Sequence, residues 1–278
     1  MKFSALVLTL DEERHIGPCL RSLAAADRTV VIDSGSQDDT RGIAAGHRGV
    51  TVVTRDFASF SDQRNFGLAH CFKAGEWVLH LAADERLTAE LSAEILALEP
   101  PDGAVAYNLA PRTFLDGRPV LRASGYPVYQ TRLTRAGFFE YEEVGHGQKA
   151  PARYGRLPCL KSPYDHHPFE KGLAEWYQRH ARYAEKEAQE ALTGGARPPL
   201  GTIAGDPIAR RLWLKHASRP IPLRPWLVWT YLMFARLGVL DGPAGWEYCR
   251  RRRIYEGMVS DRIAAARRAL NPGRPLGD

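Results

Sequence analysis

Acidic residues stand at the ends of three apolar runs in the first third of the chain. Glu12 follows the run SALVLT, Asp33 closes TVVI, and Asp84 and Glu85 follow LHLAA. Carboxylates delivered to one edge of a sheet suit two kinds of work. They accept hydrogen bonds from the hydroxyls and ring N–H of a nucleotide. They also ligate a hard divalent cation, which takes oxygen ligands and shares them with a diphosphate. A pair of acids two residues apart on an extended segment makes such a cation site, and Ala82 stands where the second carboxylate would be. A methyl group binds no cation. An acid after a strand also serves as a simple helix cap, and taken singly Asp33 and Asp84 are open to that use as well.

Strands and helices must alternate to bring these acids together. Residues 4–9, 29–33, 50–54 and 76–81 are short β-type runs, separated by helical spacing at Ile16, Leu20 and Leu23, by a capping-rich turn SGSQDDT that opens a helix to Ala45, and by a helix over 61–71. This is the pattern of a parallel α/β sheet, in which ligands bind outside the carboxyl ends of the strands. The middle of the chain has β-like runs at 104–109 and 126–133 between Gly and Pro residues. From 169 to 192 the spacing predicts a helix with Leu173, Trp176, Tyr177, His180, Tyr183 and Ala184 on one face. A Gly-Gly/Pro-Pro break at 194–199, two or three more helices and a frayed tail from Asn271 complete the reading.

A chain of 278 residues fits one large domain or a domain with a sizeable appendage, and the second is expected. Its 44% hydrophobic and 25% charged residues exclude wholesale disorder and an integral membrane protein. Cys19, Cys71, Cys159 and Cys249 lack CxxC spacing, which argues against structural zinc or a disulfide scaffold and for reduced thiols in the cytoplasm. The apolar amino terminus meets acids at once and has no small-residue cleavage site, so it reads as a first strand. Residues 1–200 carry 24 Lys and Arg against 26 Asp and Glu, whereas residues 201–278 carry 14 against 6. A basic tail of that kind suits a phosphate-rich partner of three kinds: nucleic acid, anionic lipid or an anionic glycan.

The motifs LVLTLDEERHIGPCLRSL, VVIDSGSQDDT, FASFSDQRNFGL and WVLHLAADERL occur in an order and spacing that resemble family 2 glycosyltransferases of the GT-A fold. They resemble in particular the branch that holds lipopolysaccharide core glucosyltransferases, and EWYQRHARYAEKEA and RLGVLDGPAGWEY are similar to that branch's helical appendage. The resemblance implies a Rossmann-like GT-A catalytic domain over 1–165 and a mainly helical acceptor or membrane-association region over 166–278. It places Thr9, Leu10, Glu12 and Ala83 in the nucleotide pocket and Asp33 on the base or ribose. Gln63, Arg64 and Asn65 would approach the donor diphosphate and sugar. Asp84 matches the last acid of a metal motif usually read Asp-Ala-Asp-Glu, for magnesium or manganese, aided by Glu85.

The activity implied is inverting transfer of a hexose from a nucleotide sugar, UDP-linked, to a saccharide or lipid-linked glycan of the cell envelope. One-step displacement needs a general base on the acceptor hydroxyl. The loop FEYEEVGHGQ offers Glu140, Glu142, Glu143 and His146, of which Glu143 is assigned first and Glu142 next, with His146 on the diphosphate or metal. Gly145 and Gly147 depart from the branch's Val-His-Glu segment there. Two alternatives stay open: a weak or silent nucleotide-sugar-binding protein, on account of Ala82, and a GT-A enzyme using a GDP-sugar or an N-acetylhexosamine nucleotide. The uncharged run 225–235, PWLVWTYLMFA, is too short to span a bilayer and suits an interfacial helix on an anionic membrane or a helix packed on a core. No nucleic-acid-binding signature accompanies the basic tail, so nucleic acid is not expected as a partner.

Overall fold

The structure is a computed structural model that describes residues 1–144, 147–192, 217–218, 221 and 223–270. The chain divides into two compact units, residues 1–121 with 125–170, and residues 122–124 with 171–278.

The first unit is built on a six-stranded sheet in the order β3-β2-β1-β4-β9-β6. Strands β1 (Ser4–Thr9), β2 (Thr29–Asp33), β3 (Val50–Thr54) and β4 (Trp77–Ala82) run parallel. Strands β6 (Ala106–Leu109) and β9 (Gln130–Arg135) close the sheet antiparallel. β1 and β2 are buried along their whole length, as expected for parallel strands covered by helices on both faces. Strand β9 begins at Gln130 rather than at 126, since Pro127 has no N–H for the ladder.

Helices α1 (Glu13–Ser22), α2 (Thr40–Ala45), α3 (Phe60–His70) and α4 (Ala89–Leu96) connect or cover these strands. Ser59 and Thr88 cap α3 and α4, each hydroxyl accepting an N–H three residues on at 3.2 Å. α3 lies hard against the sheet at Gly67, where an added Cβ would stand 2.5 Å from a methyl of Leu6. A larger residue there would have to displace the Leu6 side chain within the core. A second sheet holds β5 (Glu85–Arg86), β12 (Tyr164–His166), β7 (Pro111–Leu115) and β8 (Arg118–Val120), and a hairpin pairs β10 (Glu142–Val144) with β11 (Gly147–Lys149).

The second unit is helical: α5 (Leu173–Leu192), α6 (Arg224–Thr230), a π-helical turn at Tyr231–Ala235 and α7 (Gly242–Leu270). α5 starts four residues later than the spacing predicts, after Gly172 turns the chain at φ 88°. Its buried face also differs. Trp176, Ala184, Glu187 and Ala188 are inside, while Leu173 and Tyr177 are exposed. Polar bonds supplement the α5–α7 packing, with the Tyr255 hydroxyl donating to Glu187 at 2.9 Å and Arg262 to Glu185 at 3.0 Å. A buried Arg224–Glu256 pair ties α6 to α7. The break at 194–199 and the tail from Asn271 lie outside the described residues, and among the described residues no helix is long and apolar enough to cross a membrane.

Candidate active site

Register alone puts the three strand ends side by side. Thr9 faces Asp33 across β1 and β2, and Leu8 faces Ala82 across β1 and β4. The ladder continues one step into both loops, with Ser34 N–H donating to Thr9 O and Ala83 N–H to Leu8 O, both at 3.0 Å. The loops after β1 and β2 are then laced together. Asp11 N–H donates to the Ser36 hydroxyl (2.8 Å), Gln37 N–H to the Asp11 carboxylate (2.7 Å) and Glu12 N–H to the Thr40 hydroxyl (2.7 Å). Asp11 adopts φ 52°, a left-handed backbone that Asp tolerates better than most residues.

Within this edge the acids differ in what they do. Asp33 is fully buried, and its carboxylate accepts from Gly35 N–H (3.1 Å), Ser36 N–H (2.9 Å) and the Ser36 hydroxyl. It shapes its own turn. Glu85 is buried as well, accepting from Ala82 N–H at 2.7 Å and from the Arg132 guanidinium at 2.8 Å. It faces the interior. Asp84 instead reaches the imidazole of His166, Oδ2 to Nε2 3.4 Å, across the antiparallel pairing of β5 with β12. Burial disfavours the charged imidazole, but the Asp84 and Glu85 carboxylates outweigh it and hold His166 above its ordinary value. His166 was not among the site residues read from the sequence. The tandem His166-His167 was its only local signal, and the pairing that recruits it joins segments some eighty residues apart.

The Gln63–Asn65 segment divides similarly. Gln63 is buried and donates to the Arg55 and Asp56 carbonyls at 3.1 Å and to the Ser34 hydroxyl at 3.4 Å, which ties the start of α3 to the turn after β2. Asn65 grips the backbone of Tyr141 in both directions, donating to its carbonyl at 2.9 Å and accepting its N–H at 2.8 Å. Arg64 is buried with Nε and Nη1 lacking a hydrogen-bond partner among the described residues. Burial, and then the neighbouring charge of Arg132, push its pKa down to about 10. Glu85 pairs with Arg132, while Arg64 senses both charges without an ion pair among the described residues. The Thr9 hydroxyl is likewise buried and unpartnered among the described residues, whereas Leu10 is exposed and Glu12 half-buried at the mouth of the edge.

Glu142 and Glu143 are exposed on the β10–β11 hairpin that Asn65 anchors. Glu143 opens on a cleft of about 650 Å³ along the outward side of α3, lined also by Arg55, Asp62, Asn65, Phe138 and Tyr154. No described contact joins it to Asp84. His146 lies outside the described residues.

For a divalent cation the fit rests on a small donor set. Asp84 and His166 are adjacent, Ala82 contributes no side chain and Glu85 is turned inward. Among the described residues no group of three or more His, Cys, Asp or Glu could hold a metal. Magnesium keeps several waters and is often bound by one or two carboxylates plus substrate phosphates, which a small donor set can meet.

A Rossmann-like sheet with a loaded carboxyl edge, an antiparallel closing strand pair and a helical carboxyl-terminal region defines a GT-A type of α/β protein. The chain belongs to glycosyl transferase family 2, whose sequence model matches residues 4–144. Lipopolysaccharide core biosynthesis glycosyltransferase LpsC of Rhizobium meliloti is 26% identical over 213 residues, 71% of this chain and 74% of that one. An uncharacterized glycosyltransferase of Rickettsia conorii is 33% identical over 112 residues, so the match spans 39% of each chain. Among solved structures, S. aureus TarS aligns over 97% of this chain and 92% of that one, with 18% identity and a TM-score of 0.44. Glucosyl-3-phosphoglycerate synthase of Mycobacterium tuberculosis, solved with manganese, UDP and glucosyl-3-phosphoglycerate, aligns over 41% of this chain and 44% of that one, at 21% identity and a TM-score of 0.33.

Proposed function

We propose that this glycosyltransferase moves a hexose from a UDP-sugar to a saccharide or lipid-linked glycan of the cell envelope, with inversion at the anomeric carbon. The observation that carries the reading is the shared strand edge, where the Thr9 hydroxyl, buried and without a hydrogen-bond partner among the described residues, the turn bonded by Asp33 and the Asp84–His166 pair sit at one level of the sheet. The envelope acceptor is inferred from the match to LpsC.

In this reading Thr9, Leu10, Glu12 and Ala83 line the nucleoside. Asp33 acts through its turn, fixing the backbone against which base and ribose pack. Asp84 and His166 are the side chains that would hold a divalent cation, with His146 a further candidate. The cation, when bound, neutralises charge on the diphosphate. Arg64 and Arg132 place excess positive charge behind the same loop, where it favours a departing diphosphate. Glu143, or Glu142 beside it, removes the proton of the acceptor hydroxyl. The acceptor oxygen then forms its bond to the anomeric carbon as the bond to the β-phosphate oxygen breaks.

A second reading, a nucleotide-sugar-binding protein with little turnover, is favoured by Ala82 and by the inward set of Glu85. Calorimetric titration with UDP and GDP, with and without manganese, separates the readings when paired with a donor-hydrolysis assay. UDP binding that strengthens with manganese and is accompanied by hydrolysis supports transfer. Binding without hydrolysis supports the silent reading, and binding of neither nucleotide overturns both.

A further inference from the structure

The run from Leu223 to Trp246 has an unusual distribution of apolar surface. Helix α6 and the π-helical turn after it contain no charge between Arg224 and Arg236. Their inner side is occupied: Met233 is fully buried, Arg224 pairs with Glu256 of α7, and Trp229 meets Trp246 edge to face at 5.4 Å. Yet Leu223, Trp226, Leu227, Tyr231 and Phe234 each leave more than half of their surface in solvent. Trp226 and Leu227 each stand three to five residues from Leu223 and from Tyr231, and Phe234 three beyond Tyr231, which draws one continuous stripe along the outer side. The segment is therefore apolar all round, a pattern found in helices that have no water-facing side. Leu240 and Trp246 are also more than half exposed, and edge contacts at 5.4 to 6.0 Å through Trp229 connect Trp226, Phe234 and Trp246 into one aromatic patch.

The charges around this patch are mainly positive, Glu247 beside Trp246 being paired with Arg250 and Arg251. Arg253 lies over the Trp226 ring at 4.1 Å, and neither Arg253 nor Arg236 has a carboxylate within ion-pair range among the described residues. The one acid within the run, Asp241, faces inward, accepting the Arg122 and Ala123 N–H groups at 2.8 and 2.9 Å. Residues 223–270 carry 9 arginines against 4 acids.

We infer that this face of the helical unit docks on an anionic lipid leaflet. The aromatic and aliphatic stripe enters the boundary between headgroups and acyl chains, and Arg236 and Arg253 meet the phosphates. Tryptophan and tyrosine favour that boundary because each has an apolar body and a polar tip. The arginines add attraction for anionic headgroups that falls off within a Debye length. Attachment through one such face and a few arginines is reversible. The inference is independent of which donor or acceptor the first unit uses.

The test is co-sedimentation of the full chain with vesicles of phosphatidylcholine alone and of phosphatidylcholine mixed with phosphatidylglycerol, at low and high salt. Binding is expected on the anionic vesicles and weakened by salt. The triple variant Trp226→Ser, Tyr231→Ser, Phe234→Ser should lower partition at least ~10-fold, since three interfacial anchors are removed. Circular dichroism and thermal unfolding of the same protein confirm that it stays folded. Arg253→Gln should narrow the preference for anionic over neutral vesicles. Equal sedimentation of wild type and triple variant overturns the inference. So does a wild type that ignores both vesicles, including one that forms a dimer broken by the triple variant, which would make the face a self-association surface.

Discussion

Two loops follow strands of the same sheet at the same level, and they use their acids in opposite proportion. After β2, the turn from Asp33 to Thr40 is closed on itself: the buried carboxylate takes three donors from its own turn, and Asp38 and Thr40 bond to each other and to the start of α1. After β4, the two adjacent acids separate. Glu85 turns into the core to meet Arg132, and Asp84 stays at the edge against His166. The first loop spends its acid on its own turn, while the second spends one acid on the core and, in the proposed reading, keeps the other for the site. A carboxylate at a strand end is thus assigned by the donors within reach of it.

Five experiments would break or sharpen that contrast. The largest effect is expected from Glu85→Ala, which leaves Arg132 and Arg64 buried without their carboxylate. Urea unfolding should show a loss of about 3–5 kcal/mol, whereas unchanged stability with lost turnover would make Glu85 part of the site. Asp84→Asn is expected to behave in the reverse way. Turnover should fall about a hundredfold with the midpoint of thermal unfolding little altered, and a stability loss as large as that of Glu85→Ala would erase the distinction. In the first loop, Asp33→Asn keeps the shape but presents an amide to groups that are themselves donors. Stability should fall by about 2 kcal/mol, with UDP affinity reduced as a consequence. Weakened UDP binding at full stability would mean that Asp33 contacts the donor itself.

Ala82→Asp supplies the carboxylate that the second loop lacks, and metal-stimulated donor hydrolysis should rise about tenfold if the edge is an under-ligated site. No change would mean that Asp84 and His166 suffice. The smallest effect concerns His80, buried in β4 just ahead of this loop and bonded to the Thr134 hydroxyl at 2.8 Å. Burial, and then the charges of Arg64 and Arg132, hold its pKa well below the ordinary 6.5. The unfolded chain therefore takes up this proton first, and the His80 contribution to stability is lost as pH falls below the unfolded value. Thermal unfolding across that range should show a steeper acid-side decline for wild type than for His80→Gln.

The parallel strands were legible in the sequence because continuous apolar runs bounded by capping residues leave little choice of structure, and the end of β2 at Asp33 falls where the pattern puts it. What those end residues do was less legible. An Asx-type turn and a nucleotide contact both call for an acid after a strand, and only coordinates separate an Asp33 that bonds Ser36 from one that faces a ligand. Gln63 and Asn65 read as donor contacts, yet they bond the backbone at Arg55, Asp56 and Tyr141, partners set by the tertiary fold. His166 depends on a pairing between distant segments that no local pattern announces. In the helical unit, the uncharged run at 225–235 fitted a packed helix and an interfacial one equally. The structure buries one side of the segment, at Arg224 and Met233, and leaves the other exposed.

Gly67 deserves a mechanical reading. A hydrogen atom there sets the gap between α3 and the sheet, since a methyl would meet Leu6 and Ile32. The same helix grips Tyr141 through Asn65 and so carries the Glu142–Lys149 hairpin. Sheet, helix and hairpin are thus joined in series through Gly67 and Asn65, so a change of spacing inside the core would be passed on to the strand that carries Glu143.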